Sequence, residues 1–184
     1  RYNAFLWDPA TGMRDIGTRS GEFSIGNDIN DRGQITGTNQ TSDADFRAFL
    51  WDSANGIQDL GTLGGRYSSG NGINNNGQVV GSSEDANRSE HAFLWDGTSM
   101  FDLNGLISPE AGWTVIRGEA ISDNGQITGI GITPNSQLHA FLLTPVTIAE
   151  IPEPGTLALI AAGCVGLGLV RHRRRRYDDG TIRR

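Results

Sequence analysis

The stretch Ala48-Phe49-Leu50-Trp51-Asp52 decides the fold, because copies of it return along the chain. The same residues stand at Ala4–Asp8 and Ala92–Asp96, and Ala140–Leu143 is a partial copy. The copies start 44, 44 and 48 residues apart. A fixed period of roughly 20–50 residues is typical of repeat architectures built from one supersecondary unit. The sequence therefore predicts a repeat protein.

Each repeat has room for four short strands. A second signature, Gly-Gln, precedes each later copy of Ala-Phe by the same 14 residues, counted from Gln34, Gln78 and Gln126. Around these signatures, β-branched runs alternate with Asn- and Gly-rich turns, as in β-hairpins. The strand signals lie at residues 56–61, 69–74, 78–82 and 91–96. Four strands in about 44 residues is the size of one β-propeller blade.

The predicted fold is an all-β array of four-stranded units, β-propeller-like but incomplete. A right-handed β-solenoid or an open sheet array is the alternative. The strand order predicts that the chain begins with the third and fourth strands of a unit, contains two full units and ends with the first three strands of another. That amounts to about three blades, whereas propellers typically have about 4–8. We therefore expect an N-terminal portion to be missing.

The repeat resembles the bacterial HAF extracellular repeats. The resemblance covers nearly all of residues 1–143 and is carried by Ala-Phe-Leu-Trp-Asp, by Asp59–Gly65 and by Ile73–Gly81. It implies an exported location and no particular chemistry. The sequence departs from the pattern at Asn3, Arg47, Asn104 and Leu142-Leu143. We assign residues 1–143 to a repeat domain and residues 144–151 to a linker.

The C-terminal residues have the pattern of a membrane anchor. Residues 155–170 are apolar, small or Thr, and as a helix they would span about 24 Å, slightly short of the roughly 30 Å hydrocarbon core of a bilayer, a difference that snorkelling arginines can make up. A basic cluster follows, consisting of Arg171, Arg173, Arg174, Arg175 and Arg176. The positive-inside rule places these arginines in the cytoplasm and the repeats outside. We therefore predict a single transmembrane helix over residues 155–170 and a cytoplasmic tail over residues 177–184.

Three features at the C-terminus together resemble the PEP-CTERM sorting signal of Gram-negative bacteria. They are Pro152-Glu153-Pro154, the apolar run and the arginine cluster, and we assign residues 152–176 to the signal. The resemblance implies recognition by exosortase, a membrane-embedded protease. It also implies an inner-membrane precursor that moves to the cell surface or matrix, with exopolysaccharide as a partner. The two prolines favour an extended backbone, which a protease can bind.

The charge distribution argues against a nucleic-acid partner. The chain has a net charge of −6. From Arg171 onward, seven arginines against two aspartates give +5, which leaves −11 for the body. Nucleic-acid binders need a positive surface that releases counterions from phosphates. The one cysteine, Cys164, lies in the apolar run, so no intrachain disulfide is expected.

The recurring polar residues are predicted to be structural. One set of aspartates follows each Trp and another precedes Ile or Leu, and a residue copied into every unit is not a catalytic pair with unlike environments. We expect these carboxylates to close turns. His91 and His139 precede the Ala-Phe strands without a metal-binding partner, so we assign them a strand-edge hydrogen bond. No catalytic residue, metal site or cofactor is expected.

Trp113 and Glu110 form the candidate ligand loop. They lie where the repeat spacing lengthens by four residues, within Asn104–Trp113, and irregular loops on a regular scaffold often carry binding sites. An exposed Trp113 could stack on a sugar, whereas a buried one would pack against the linker. The other repeat tryptophans, Trp7, Trp51 and Trp95, are predicted to be core.

The sequence favours a non-enzymatic surface or matrix protein that binds or scaffolds. A carbohydrate-binding adhesin is one alternative. The other is the non-catalytic part of a propeller-scaffold hydrolase or lyase whose active site lies upstream.

Overall fold

A computed structural model describes residues 2–18 and 23–146, which form β-strands and two short 3₁₀ turns. The turns are Leu103–Gly105 and Pro109–Ala111. The strands are β1 (Ala4–Asp8), β2 (Gly12–Gly17), β3 (Ser24–Ile29), β4 (Ile35–Gln40), β5 (Phe46–Asp52), β6 (Gly56–Gly61), β7 (Gly64–Ile73), β8 (Val79–Asp85), β9 (Glu90–Trp95), β10 (Met100–Asp102), β11 (Thr114–Ile121), β12 (Ile127–Ile132) and β13 (Leu138–Leu143).

Consecutive strands pair antiparallel in four separate sheets. Sheet 1 contains β1 and β2, sheet 2 contains β3 to β6, sheet 3 contains β7 to β10, and sheet 4 contains β11 to β13. This order confirms the all-β prediction and the predicted repeat phase of two strands, two four-stranded units and three strands. The sheets of the described residues do not close into a ring, so this part of the chain is not a closed propeller.

The two inner sheets bury both faces, which explains why the repeat signature is apolar at consecutive positions. In β5, Ala48 and Leu50 pack in one cluster with residues of sheet 3. Phe49 and Trp51 point the other way and pack in a cluster with residues of sheet 1. The same alternation in β9 joins sheet 3 to sheets 2 and 4.

The prediction that the repeat tryptophans are core residues is right for two of them and wrong for Trp7. Trp51 and Trp95 are 3% and 7% exposed, whereas Trp7 is 61% exposed. Trp7 lies on the face of sheet 1 that no other described sheet covers. Leu142 is likewise exposed on sheet 4, although Leu50 and Leu94 at the same repeat position are buried.

A glycine at the centre of the second strand of each unit allows close packing within the sheet. Gly81 pairs with Gly70 of β7 on one side and Phe93 of β9 on the other. A Cβ atom at Gly81 would collide with the Ser69 carbonyl oxygen and would lie 2.8 Å from the Phe93 ring. Gly37 and Gly129 occupy the same position, with Phe49 and Phe141 beside them. The glycine and phenylalanine therefore form a pair that recurs in sheets 2, 3 and 4.

Residues 147–184 lie outside the described residues, and with them most of the predicted linker, the sorting signal and the predicted transmembrane helix at residues 155–170. Residues 144–146 follow β13 without forming a strand. Within residues 2–18 and 23–146, no helix has the length and apolar character needed to cross a bilayer.

We expect Gly81→Ala to lower the free energy of unfolding by about 1–3 kcal/mol, because overpacking a filled interior forces backbone and side chains to shift. The measurement is urea denaturation of the purified protein followed by circular dichroism. Gly105→Ala is the matched control, since a Cβ atom there meets nothing within 4 Å and the residue has no positive φ. Equal stability of the two variants would contradict the packing explanation.

Candidate functional site

The recurring aspartates close turns, as predicted. Asp8, Asp52 and Asp96 each accept two backbone N–H groups on Oδ1 from residues two and three positions later, at 2.7–3.1 Å. Asp15, Asp59 and Asp102 each accept the N–H two residues later, at 2.7–2.8 Å. At Asp52, hydrogen bonds from the Asn55 side chain and backbone lower the pKa of the carboxyl. The first set shapes the hairpin between the third and fourth strands, and the second set shapes the turn at the end of the fourth strand.

The residue ahead of the Ala-Phe signature joins the third strand of a unit to the end of the fourth. His91 Nδ1 lies 2.6 Å from Asp102 Oδ2. At the same repeat position, Asn3 Nδ2 donates to Asp15 Oδ2 at 2.6 Å. This confirms a structural role for His91. His139 is exposed on β13, and its ring lies edge-on to Trp113 with 6.3 Å between centroids.

Asparagine side chains join the first strands of successive units. Asn27 Nδ2 donates to the Gly70 carbonyl oxygen at 2.7 Å, and Asn71 Nδ2 repeats the bond to the Gly118 carbonyl oxygen at 2.9 Å. Near the ends of the same strands, Asn30 Nδ2 donates to the Asn74 carbonyl oxygen at 2.9 Å, and Asn74 Nδ2 donates to that of Ser122 at 3.0 Å. We call Asn27, Asn30, Asn71 and Asn74 the asparagine ladder.

Two members of the asparagine ladder, Asn27 and Asn71, lie at β-bulges in the first strands of their units. The register of β3 shifts between Gly26 and Asp28, and that of β7 shifts between Gly70 and Gly72. The extra residues are Asn27 and Asn71. Because a bulge re-aims the side chain of its extra residue, each asparagine can reach the next unit. Sequence reasoning missed this role, although both asparagines follow a glycine at the repeat spacing.

The ends of the three first strands surround a polar cleft of about 270 Å³. Asn75 lies in its wall, and its Nδ2 donates to Asp31 Oδ2 at 2.7 Å and to Asp123 Oδ2 at 3.0 Å. Hydrogen bonds from the Asn75 backbone N–H and side chain lower the pKa of Asp123. In the described ranges no group of three or more His, Cys, Asp and Glu residues is arranged to hold a metal ion. The polar groups of this cleft satisfy one another across the units.

The predicted insertion forms the two 3₁₀ turns between β10 and β11. Asn104 bonds Val115 in both directions, because its Nδ2 donates to the Val115 carbonyl oxygen at 2.9 Å and its Oδ1 accepts the Val115 N–H at 2.8 Å. The departure from the repeat at Asn104 therefore fixes the insertion to sheet 4. Trp113 is half-buried beside Gly131, and Glu110 is exposed in the second turn.

A larger cleft, which we call the seam cleft, lies between sheets 2 and 3 and has a volume of about 540 Å³. Its lining includes Phe46, Tyr67, Ser69, Ser82, Glu84 and Glu90. The Phe46 and Tyr67 rings stack with 6.2 Å between centroids and 28° between planes. Sequence reasoning did not single out these residues. The available signal was an aromatic pair that recurs after 44 residues, as Tyr2 with Phe23 and as Phe46 with Tyr67, and is then lost at Glu90 and Leu138.

An ion pair fixes one rim of the seam cleft. The Arg66 guanidinium contacts Asp45 Oδ1 through Nε at 2.8 Å and through Nη2 at 2.7 Å. Arg47 Nη2 lies 3.5 Å from Asp45 Oδ2. The hydrogen bond from Arg66 is the main reason that the pKa of Asp45 lies below its usual value. The pair ties the start of β7 to the loop before β5.

The fold and its repeated contacts define an all-β repeat protein whose meander sheets are joined through their first strands. The chain belongs to the family described as protein of unknown function DUF3466, which matches residues 12–139. Residues 150–176 match the PEP-CTERM protein-sorting motif. This confirms the predicted signal and identifies an exported protein that exosortase sorts at the cell envelope. No curated protein and no solved structure matched the chain.

Among the sequence-predicted site residues, the structure describes only the candidate ligand loop, Trp113 and Glu110. The sorting motif Pro152-Glu153-Pro154 and the arginines 171 and 173–176 lie outside the described residues. The loop and the seam cleft share no lining residue.

We expect Asn74→Ala to lower the free energy of unfolding by about 2 kcal/mol or more, since each buried polar group left unpaired costs about 1–3 kcal/mol. Asn74 is buried and bonds both Ser122 and Gln78. Chemical denaturation of the purified protein measures the loss. Asn135→Ala, in an exposed turn, is the control. A loss no larger than that of the control would show that the ladder does not stabilise the fold.

We also expect Arg66→Gln to raise the pKa of Asp45 toward its usual value. Because the folded pKa lies below the unfolded value of about 3.9, the pair stabilises the fold above that pH, and the contribution is lost as the pH falls through the folded pKa. Carboxyl ¹³C NMR titration reports the pKa directly. Arg88→Gln is the control. An unchanged Asp45 titration in the Arg66 variant would contradict the assignment.

Proposed function

We propose that the chain is an exported, exosortase-sorted surface or matrix protein whose repeats bind or scaffold without catalysing a reaction. The observation that supports this most directly is the order of the two family matches. The family match to the repeats ends at residue 139, and the match to the sorting motif begins at residue 150. A protein with that order presents its repeats outside the cytoplasm and its signal at the membrane.

We propose further that the repeats are of the bacterial HAF type and that the sheets are blades of a β-propeller-like array. The support is the four-stranded antiparallel meander of sheets 2 and 3 and the contact between the first strands of neighbouring sheets. In a propeller, blades of four-stranded sheets surround a central channel. The cleft between the ends of the three first strands would then lie beside that channel.

A non-enzymatic role fits the use that the chain makes of its recurring polar side chains. The aspartates of both sets accept backbone N–H groups in turns, and His91 contacts Asp102. Catalytic carboxylates work as a pair in unlike environments, whereas these residues occupy equivalent environments in successive units. These side chains stabilise turns. In this proposal, binding takes place at positions where the units differ.

The C-terminal signal would hold a precursor in the inner membrane before release. In this proposal residues 155–170 form the transmembrane helix, and Arg171 and Arg173–Arg176 keep the end of the chain in the cytoplasm. Cleavage would then deliver the repeat domain to the cell surface or extracellular matrix of a Gram-negative bacterium, where exopolysaccharide is its expected partner.

The test is Glu153→Gln in a Gram-negative host that carries exosortase. We expect the wild-type protein to be processed to a smaller form and the variant to accumulate at full size in the membrane fraction. The reason is that Glu153 lies in the recognised segment while insertion depends on the apolar run. Immunoblotting of membrane and released fractions measures both properties.

A matched variant replaces Arg173, Arg174, Arg175 and Arg176 by Gln. We expect it to lose fixed orientation in the membrane, because the charge asymmetry that sets topology is largely removed. Accessibility of the C-terminus to added protease separates this defect from that of Glu153→Gln. Equal processing of wild type and Glu153→Gln, or processing of neither, would refute the sorting proposal.

A further inference from the structure

The seam cleft is a built feature that the repeat alone does not produce. Between Gly64 and Ser68, β7 advances four residues while β8 advances two, from Asp85 to Ser83. The corresponding register shift in β11 covers one extra residue, between Val115 and Arg117. The larger bulge in β7 moves Arg66 and Tyr67 out of the regular backbone pairing between β7 and β8. Bulges of this kind re-aim side chains and are frequent beside functional sites.

Glycines make this bulge possible. Gly64 has a φ of +119°, which a side chain rarely allows. A Cβ atom on Gly65 would collide with the Glu84 side chain and would lie 2.7 Å from the Asp85 carbonyl oxygen. The Gly-Gly pair therefore lets β7 bend tightly over β8, and the Arg66–Asp45 ion pair holds the bent segment against sheet 2.

The bulge presents an aromatic ring to solvent at the mouth of the cleft. Phe46 backs the Tyr67 ring, and Phe23 in turn contacts Phe46 edge-on with 5.8 Å between centroids. Tyr67 nevertheless remains 43% exposed. Sheet 4 has no such ring, because Val115 stands at the repeat position of Tyr67 and Leu138 at that of Phe46. The seam between sheets 3 and 4 therefore lacks the aromatic platform, whereas the preceding seam has Tyr2 and Phe23 at the repeat positions of Phe46 and Tyr67.

The polar groups around the ring are hydroxyls and carboxylates that each have a partner. Glu84 and Glu90 lie directly opposite each other on β8 and β9, an arrangement of like charges that destabilises a sheet. Partners offset them: Glu84 Oε2 accepts the Arg66 backbone N–H at 3.2 Å, and Arg117 Nη2 lies 3.5 Å from Glu90 Oε1. Arg88 also lines the cleft. Such local conflicts in a regular fold are expected at functional sites.

This combination selects a neutral, polyhydroxylated ligand. An anion would meet two carboxylates, and a cation would meet Arg88 beside carboxylates that are already partnered. A purely apolar ligand would bury the Ser82 hydroxyl and the Glu84 and Glu90 carboxylates without new hydrogen bonds, which is costly. A sugar ring offers an apolar face for Tyr67 and hydroxyls for Ser82 and the carboxylates. The volume of about 540 Å³ suits a small ligand site, which typically measures about 300–1,000 Å³.

We propose that the seam cleft binds a segment of a neutral oligosaccharide, with Tyr67 stacking on one sugar ring and Ser82, Glu84 and Glu90 bonding its hydroxyls. The proposal rests on the binding role proposed above and names its ligand class. It assigns the site to a different place from the loop that contains Glu110 and Trp113.

The experiment is a glycan array probed with the purified full-length protein in detergent. The array carries neutral oligosaccharides of glucose, galactose and mannose, together with uronic acid and glucosamine oligosaccharides as charged probes. We expect retention of one or more neutral oligosaccharides. Isothermal titration with the retained sugar should then show at least a tenfold weaker affinity for Tyr67→Ala and little change for Tyr67→Phe, which keeps the ring. Tyr2→Ala is the matched control, because Tyr2 is 76% exposed outside the cleft.

Retention of no neutral oligosaccharide, or of charged ones alone, overturns the proposal. So does wild-type affinity of Tyr67→Ala, or a loss in Trp113→Ala with none in Tyr67→Ala. Thermal unfolding checks each variant, and if Tyr67→Ala fails to fold, Glu90→Gln replaces it with an expected loss of several-fold. The assay needs no exosortase, so its failure is distinct from failure of the processing test.

Discussion

The hydrogen bond from an asparagine side chain to a backbone carbonyl of the next unit is the contact on which the architecture depends. Asn27 and Asn71 make it at the bulge of the first strand, and Asn30 and Asn74 make it again at the end of that strand. Apolar side chains hold the sheets face to face, but burial is non-directional. The ladder adds direction, because each donor must meet one carbonyl of the neighbouring strand. It thereby fixes the offset between units.

A regular framework of this kind leaves function to the places where the units differ. The turn aspartates, the glycine and phenylalanine pair, and the ladder recur and are fully used in holding the sheets. The bulge at Gly64–Ser68 and the paired carboxylates Glu84 and Glu90 break the repeat at one seam, beside the stacked rings of Phe46 and Tyr67. Irregular positions on a regular scaffold often carry binding sites, which is why the proposed ligand site lies at this seam.

The repeat period made most of the fold predictable. The copies of Ala-Phe-Leu-Trp-Asp and Gly-Gln located the strands and their phase, and the recurring aspartates were assigned to turns for the right physical reason. The bulges were not predictable, because Asn27 and Asn71 look like turn residues until the neighbouring strand supplies an acceptor. The exposure of Trp7 was missed for a similar reason, since burial of that position depends on a second sheet covering it. The aromatic stack is also a tertiary contact, because Phe46 and Tyr67 belong to different units.

Hydrogen exchange of the asparagine side-chain amides, observed by NMR on the full-length protein, tests the central role of the ladder most directly. The account predicts slow exchange of the Nδ2 protons of Asn30 and Asn74, because both are held between a carbonyl of the next unit and a glutamine of their own turn. Asn135, in an exposed turn, provides the reference rate. Exchange of Asn30 and Asn74 at the rate of Asn135 would contradict the claim that these bonds join the units.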